Sequence, residues 1–217
     1  MQGILDLDNK YQDNADDFIV SHSNFEAYNA ILSYEKWQNK RLLIIGSPKS
    51  GKTSLVKIWQ KKTDAVFFDN MENVENIKYN KNIIIDNIEN FSESSLINIV
   101  NFANERSLSL LLTSIKYPSF SLKDLNSRIK GTYKVLINEP DENLLKLLIV
   151  KLLKRKQVKV SKETVDFIFS NMERSYEFIY KIVNLIDKFS KIAKRKITIP
   201  FIKKVAAQYI KSQYSID

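Results

Sequence analysis

An eight-residue segment, Gly46-Ser47-Pro48-Lys49-Ser50-Gly51-Lys52-Thr53, constrains the fold of this 217-residue chain more than any other feature. It fits the pattern G-x-x-x-x-G-K-[ST] and lies between the apolar run Arg41–Gly46 and a segment of helical spacing. In this strand–loop–helix setting, backbone N–H groups converge on phosphate oxygens and the helix N-terminus adds its dipole. The sequence therefore predicts a phosphate-binding loop, in which Lys52 contacts the β and γ phosphates and Thr53 binds Mg²⁺.

An acidic residue at the end of another apolar run completes the predicted nucleotide site. Asp86 closes the run Asn82–Asp86, where a carboxylate can hold the Mg²⁺ shell. The next residue is Asn87, whose amide cannot take a proton from water, and Glu89 is expected to point elsewhere. The sequence thus predicts a site with poor hydrolytic chemistry of its own. We expect ADP or ATP, with Mg²⁺, to be held by Ser47, Pro48, Lys49, Ser50, Gly51, Lys52, Thr53, Ser54 and Asp86.

Five short apolar runs predict the strands of a doubly wound α/β sheet. The predicted strands are Arg41–Gly46, Ala65–Asn70, Asn82–Asp86, Leu108–Ser114 and Tyr133–Ile137. Segments of helical spacing lie before and between them, at 24–37, about 52–61 and 96–104, with Ser23 as the predicted N-cap of the first. Because strands that alternate with helices indicate βαβ crossovers, we expect a parallel sheet.

The pattern becomes entirely helical after the fifth strand. Asp141 and Ser161 are predicted N-caps of two successive helices. A third helix is predicted over Tyr176–Ala193, and a fourth carries Pro200 in its first turn. We therefore predict a flexible tail over residues 1–13, a nucleotide-binding core over 14–138 and an all-helical lid domain over 139–217.

Composition excludes several classes of protein. Hydrophobic residues make up 44% of the chain and charged residues 27%, which is typical of a globular protein rather than a disordered one. The absence of cysteine excludes disulfides and thiolate chemistry, and a single histidine, His22, argues against histidine metal clusters. The first residues lack the features of a secretion signal and no run is long enough to span a membrane, so we expect a cytoplasmic protein. The net charge of +9 comes mainly from scattered lysines, which favours a solvated surface over a nucleic-acid site.

Four further motifs follow the phosphate-binding loop in order: NIIIDN at 82–87, LLLTS at 110–114, LNSR at 125–128 and KRKITIPFIKK at 194–204. With these motifs the chain resembles the DnaA family of AAA+ proteins, and in particular its Hda-type regulators, from about residue 17 to about residue 210. The resemblance implies an AAA+ P-loop core with a five-stranded parallel sheet and a helical lid. It also implies that the chain has no room for the DNA-binding domain of DnaA, so no direct sequence-specific DNA binding is expected.

The resemblance assigns roles to residues outside the loop. Phe18, Ile19 and Val20, in the segment that begins at Asp17, are implied to lie beside the adenine, before a helix in which Asn24 and Ala27 match the family pattern. Arg128 is implied to be an arginine finger that acts in trans on the ATP of DnaA.

The first residues of the chain also match a partner motif of this family. Gln2, Leu5 and Leu7 are similar to the Q-x-x-L-x-L peptide that binds the sliding clamp of DNA polymerase III. The resemblance therefore implies two partners, DnaA and the clamp, and it leaves a homodimer open.

Two positions depart from the pattern of active ATPases in this family. Ile115 stands where an aspartate is common, and Glu177 aligns with the lid sensor arginine, with Arg174 one helical turn earlier as the residue that could reach the phosphates. These departures imply an ADP-bound regulator that stimulates ATP hydrolysis by DnaA and so inactivates it. The alternatives are a self-sufficient AAA+ ATPase such as a DnaA-like initiator or helicase loader, a DNA-binding initiator or scaffold, and a small-molecule kinase.

Overall fold

The computed structural model describes residues 18–68, 80–158, 160–171, 173–193 and 197–214. The chain forms two compact units, and the boundary between them falls between Asn138 and Glu139. The predicted clamp motif, with Gln2, Leu5 and Leu7, lies outside the described residues, as does Asp17.

A five-stranded parallel sheet forms the centre of the first unit. Its strands are β1 (Arg41–Gly46), β2 (Val66–Phe67), β3 (Ile83–Ile85), β4 (Leu110–Ser114) and β5 (Tyr133–Ile137), in the order β2-β3-β4-β1-β5. Every residue of β1, β3 and β4 is buried, which explains why these strands are continuous apolar runs. In the register of the sheet, Ile85 is level with Leu112, and Leu112 with Leu43. The carboxyl ends of these three strands therefore meet at one edge of the sheet.

The described part of this unit contains four α-helices: α1 (Phe25–Leu32), α2 (Lys52–Thr63), α3 (Glu93–Glu105) and α4 (Lys123–Lys130). Helix α3 begins three residues before the predicted start because the Ser92 hydroxyl accepts a hydrogen bond from the Ser95 N–H, at 3.1 Å. Helix α4, which contains the LNSR motif, was not among the predicted helices. The sheet and the crossover helices confirm the predicted parallel α/β core.

The first helix, α1, begins one residue later and ends five residues earlier than its predicted span of 24–37. It ends at Leu32 rather than at Trp37, and a 3₁₀ turn follows over Tyr34–Lys36. The indole N–H of Trp37 donates to the carbonyl of Ala30 at 2.7 Å, and its ring stacks on Trp59 of α2 at 5.1 Å. Burial of the tryptophan against another helix thus outweighs the helical spacing of the sequence.

Three strands are shorter than predicted, and of these β3 lacks the first and last residues of its predicted span, Asn82 and Asp86. β4 begins at Leu110 rather than at Leu108, since the Leu108 N–H bonds to the Ala103 carbonyl at the end of α3. β2 covers only Val66–Phe67 of its predicted span, and residues 69–70 lie outside the described part of the chain.

In the second unit, the residues that the structure describes form four α-helices: α5 (Glu142–Arg155), α6 (Lys162–Asn171), α7 (Tyr176–Ala193) and α8 (Ile199–Tyr214). The Asp141 carboxylate caps α5 by accepting from the Leu144 N–H at 2.8 Å, as predicted. The core of this second unit contains aliphatic side chains from all four helices, among them Ile149, Ile168, Ile186 and Ile202. Within the described residues, no helix is both long and apolar enough to cross a membrane.

Candidate nucleotide-binding site

The two glycines of the phosphate-binding loop occupy positions where a side chain would not fit. Gly51 has a φ of +105° at the N-cap of α2, and a Cβ atom there would lie 2.9 Å from Cε2 of Phe18. At Gly46, a Cβ atom would lie 2.8 Å from the Ser50 hydroxyl oxygen. The loop therefore depends on glycine for both its conformation and its close packing.

Replacing Gly51 by alanine should lower the free energy of unfolding by about 1–2 kcal/mol, because an L-residue is strained at positive φ. The new methyl group would also push on the Phe18 ring. Gly131→Ala is a matched control, since its φ is −80° and its nearest neighbour would be 3.7 Å away. Chemical denaturation of the two variants measures the difference, and equal stabilities would contradict the role of Gly51.

The amino group of Lys52 lies inside the loop. The residue is buried, and Nζ donates to the carbonyls of Gly46 at 2.7 Å and Ser47 at 3.1 Å. Burial lowers the pKa of Lys52, while the charges of Glu89 and Asp86 oppose that shift. The buried hydroxyl of Ser50 has no hydrogen-bond partner among the described residues. A buried cation beside an unsatisfied hydroxyl fits the phosphates of a nucleotide.

The Asp86 carboxylate, at the end of β3, forms hydrogen bonds with α2 and with β4. Its Oδ2 accepts from the Thr53 hydroxyl at 2.7 Å, and its Oδ1 accepts from the Thr113 hydroxyl at 2.5 Å. Thr113 in turn accepts from the Asn87 N–H at 2.8 Å. The described residues contain no cluster of three carboxylate, histidine or cysteine side chains that could hold a metal. One carboxylate and one hydroxyl suit Mg²⁺, which takes its other ligands from phosphate and water.

The segment Phe18–Val20 lies next to the loop. The Phe18 ring faces Gly51 and stacks parallel to Tyr28 of α1, with 6.0 Å between ring centroids. Asn24 fixes this segment by donating from Nδ2 to the Ile19 carbonyl at 2.9 Å and accepting the Ser21 N–H at the same distance. Asn24, rather than the predicted Ser23, is the N-cap of α1, and its side chain is used to hold the preceding segment instead of capping the helix.

Glu89 is a site residue that sequence reasoning missed. Instead of pointing elsewhere, its Oε1 accepts from the Ile115 N–H at 2.5 Å and from the Ser114 hydroxyl at 2.7 Å, and that hydroxyl also lies against the Lys116 carbonyl. Burial works against ionisation, but these hydrogen bonds and the charge of Lys52 lower the pKa of Glu89. Asn87, at a φ of +63°, begins the turn that returns the chain to the end of β4. No local sequence pattern signals this return.

Arg128 lies at the opposite end of the sheet from the loop. Its Nε donates to both carboxylate oxygens of Asp124, at 3.1 Å each, and about a third of the side chain is exposed. Its charge acts on Arg41, whose pKa is lowered by burial and then by this repulsion. Arg41 is the first residue of β1, and the phosphate-binding loop follows the last residue of that strand. The length of β1, roughly 17 Å, therefore separates Arg41 from the loop.

Arg174 belongs to the second unit. It precedes α7, and its guanidinium lies 4.7 Å from the centroid of the Phe169 ring. Glu177, in the first turn of α7, pairs with Lys181 at 2.8 Å.

Comparison with known proteins relates both units to replication proteins. Residues 141–206 match the family model described as "Hda, lid domain". The chromosomal replication initiator protein DnaA of Buchnera aphidicola subsp. Cinara cedri is 26% identical over 252 residues, covering 98% of this chain and 56% of the relative. An uncharacterized protein of Haemophilus influenzae is 35% identical over 100 residues, which cover 44% of this chain and 43% of the Haemophilus protein. The chain thus spans about half the length of the curated relatives it matches.

Solved structures share the fold. Domain III of the Thermotoga maritima replication initiation protein DnaA superimposes with a TM-score of 0.73 at 17% identity, covering 89% of this chain and 95% of that one. AMPPCP-bound DnaA from Aquifex aeolicus gives a TM-score of 0.62 at 21% identity, covering 85% and 67%. The chain thus shares the fold of DnaA domain III, is similar in sequence to a DnaA protein over 98% of its length, and matches the Hda lid domain over residues 141–206.

Proposed function

We propose that this protein is an Hda-like, cytoplasmic regulator of replication initiation. It binds ADP with Mg²⁺, docks on the sliding clamp of DNA polymerase III and stimulates ATP hydrolysis by DnaA, which inactivates the initiator. One observation supports the proposal most: Lys52 Nζ lies inside the loop, the Thr53 hydroxyl bonds to Asp86, and the residue after Asp86 is Asn87. Such a site can hold a nucleotide but lacks a base at the usual position.

The residues of this chain divide the task of holding the nucleotide. Lys52 and the N–H groups of the loop bind the phosphates, and Thr53 with Asp86 holds Mg²⁺, which neutralises phosphate charge when bound. In this proposal, Phe18, Ile19 and Val20 lie beside the base. The AMPPCP-bound DnaA structure supports nucleotide binding by this fold.

Arg128 acts on the nucleotide of DnaA rather than on its own. Its place at the amino end of the sheet, away from the phosphate-binding loop, supports a role toward a neighbouring protein. The ion pair with Asp124 orients the guanidinium while leaving part of it exposed. A guanidinium can donate two parallel hydrogen bonds to phosphate oxygens as charge develops on them.

Removing the two leucines of the tail motif should abolish clamp binding. In the Leu5→Ala/Leu7→Ala double variant, an extended peptide could no longer bury its anchors in an apolar groove of the clamp. A pull-down on immobilised clamp measures the effect, and Ile4→Ala, at a variable position of the motif, is the matched control. Because a tail contributes little to a folded core, the melting temperature should not change. A double variant that retains wild-type clamp affinity would refute the motif.

Hydrolysis of ATP bound to DnaA tests the whole proposal. The assay contains ATP-loaded DnaA, this protein with ADP, and clamp either loaded on DNA or omitted. Stimulation that requires the loaded clamp is expected. Rapid ATP turnover by the isolated chain would favour the self-sufficient ATPase instead, and salt-sensitive DNA binding without the clamp would favour a DNA-binding initiator.

A further inference from the structure

The carboxylate of Glu89 accepts hydrogen bonds from two groups at the carboxyl end of β4. Its Oε1 accepts both the Ile115 N–H at 2.5 Å and the Ser114 hydroxyl at 2.7 Å. Thr113, one residue earlier, bonds to the carboxylate of Asp86 at 2.5 Å. The two carboxylates are thus held by consecutive residues of the same strand end.

This strand end faces the phosphate-binding loop. Ser114 is level with Ile45 in the parallel pairing of β4 with β1, and Gly46 opens the loop one residue later. Lys52 Nζ donates to the carbonyl of that same Gly46, at 2.7 Å. Glu89 itself is exposed at this edge of the sheet, where a ligand can approach it.

Glu89 brings a persistent negative charge close to Lys52. Burial opposes ionisation of Glu89, but its hydrogen bonds and the charge of Lys52 lower its pKa. The charge of Glu89, with that of Asp86, in turn raises the pKa of Lys52 against the effect of burial. The neighbouring side chains of Asn87 and Thr113 are neutral, so they do not offset the negative charge of Glu89.

We propose that Glu89 is a specificity-determining residue, a resident anion that selects a nucleoside diphosphate over a triphosphate. The inference rests on the proposed nucleotide site. Lys52 is the residue that a bound γ phosphate would contact, and Glu89 competes for it. A diphosphate leaves the carboxylate in place on Ser114 and Ile115. A triphosphate must either tolerate a like charge or displace the carboxylate from both donors.

Calorimetric titration of Glu89→Gln with ADP and with AMPPCP, both with Mg²⁺, tests this assignment. The glutamine carbonyl can still accept both hydrogen bonds, so the substitution removes mainly the charge. We expect AMPPCP affinity to rise at least about tenfold relative to ADP affinity. Glu93→Gln is the control for loss of a carboxylate charge elsewhere in this unit. Glu93 accepts the N–H groups of Ser121 and Leu122 at 2.8 Å each, one on each carboxylate oxygen, and its variant should leave the ratio unchanged.

The outcomes separate this inference from the proposed function. Failure of the wild-type chain to bind either nucleotide would refute the proposed site. Binding of both nucleotides with the same affinity ratio in wild type and Glu89→Gln would overturn only the role of Glu89. A parallel loss of both affinities in Glu89→Gln would make the residue structural and also overturn it. Glu89→Asp, which keeps the charge, should retain the preference for ADP, and a glutamine-like ratio in that variant would count against the charge.

Discussion

Lys52→Ala is expected to abolish the binding of both ADP and ATP. Nζ is held inside the loop by the carbonyls of Gly46 and Ser47, so it is already positioned for phosphate. Truncating one partner of a buried, hydrogen-bonded charge pair costs on the order of 2–5 kcal/mol, which corresponds to an affinity loss of roughly 30-fold or more. Isothermal titration calorimetry with each nucleotide measures the loss.

Lys57→Ala is the matched control for that experiment. Lys57 lies on the same helix, α2, but its side chain is exposed, so its removal should leave the affinity unchanged. Wild-type ADP affinity in Lys52→Ala would show that the loop does not bind the nucleotide through this lysine. A strong preference for ATP in the wild-type chain, with rapid turnover, would contradict the proposed ADP-bound state.

Arg128→Ala should reduce DnaA-dependent ATP hydrolysis by tenfold or more, on the order of at least 1.4 kcal/mol of barrier. The guanidinium lies far from the chain's own loop, so ADP binding should be unaffected. Its ion pair with Asp124 is partly exposed, and such pairs contribute little to stability, so the melting temperature should change little. The measurement is hydrolysis of ATP on DnaA in the presence of clamp loaded on DNA.

Two further variants sharpen the test of Arg128. Arg128→Lys should also fail, because an ammonium group cannot reproduce the planar fork of a guanidinium. Arg106→Ala removes another arginine, one that packs on the Phe102 ring at 4.2 Å, and should leave hydrolysis unchanged. Unchanged hydrolysis in Arg128→Ala would remove this residue from the mechanism, and a lower melting temperature or lost clamp binding would make it a structural arginine.

Features that depend on neighbouring residues could be predicted from the sequence. β1, β5 and α7 have the predicted bounds. The strands could be predicted because an apolar run indicates a buried strand, and α7 because helical spacing of apolar residues indicates a helix with one buried face. Asp141 caps α5 as predicted, since a cap requires only the residue and the N–H group three positions later.

Features that depend on distant segments could not be predicted in this way. Trp37 leaves the helical path because Trp59, 22 positions along the chain, offers its ring a packing surface. The side chain of Asn24 holds the Ile19 carbonyl instead of capping α1, a choice that the local pattern of Ser23 and Asn24 does not reveal.

The nucleotide site shows the same division. The loop with Lys52 and Thr53 could be predicted because a strand–loop–helix motif sets backbone geometry within a few residues, and Asp86 could be predicted from its position at the end of another apolar run. The position of Glu89 at this edge could not be predicted in the same way, since its partners Ser114 and Ile115 are 25 and 26 positions away. Parallel pairing of β3 with β4 brings the two strand ends together, and a hydrogen bond between them depends on that register rather than on spacing along the chain.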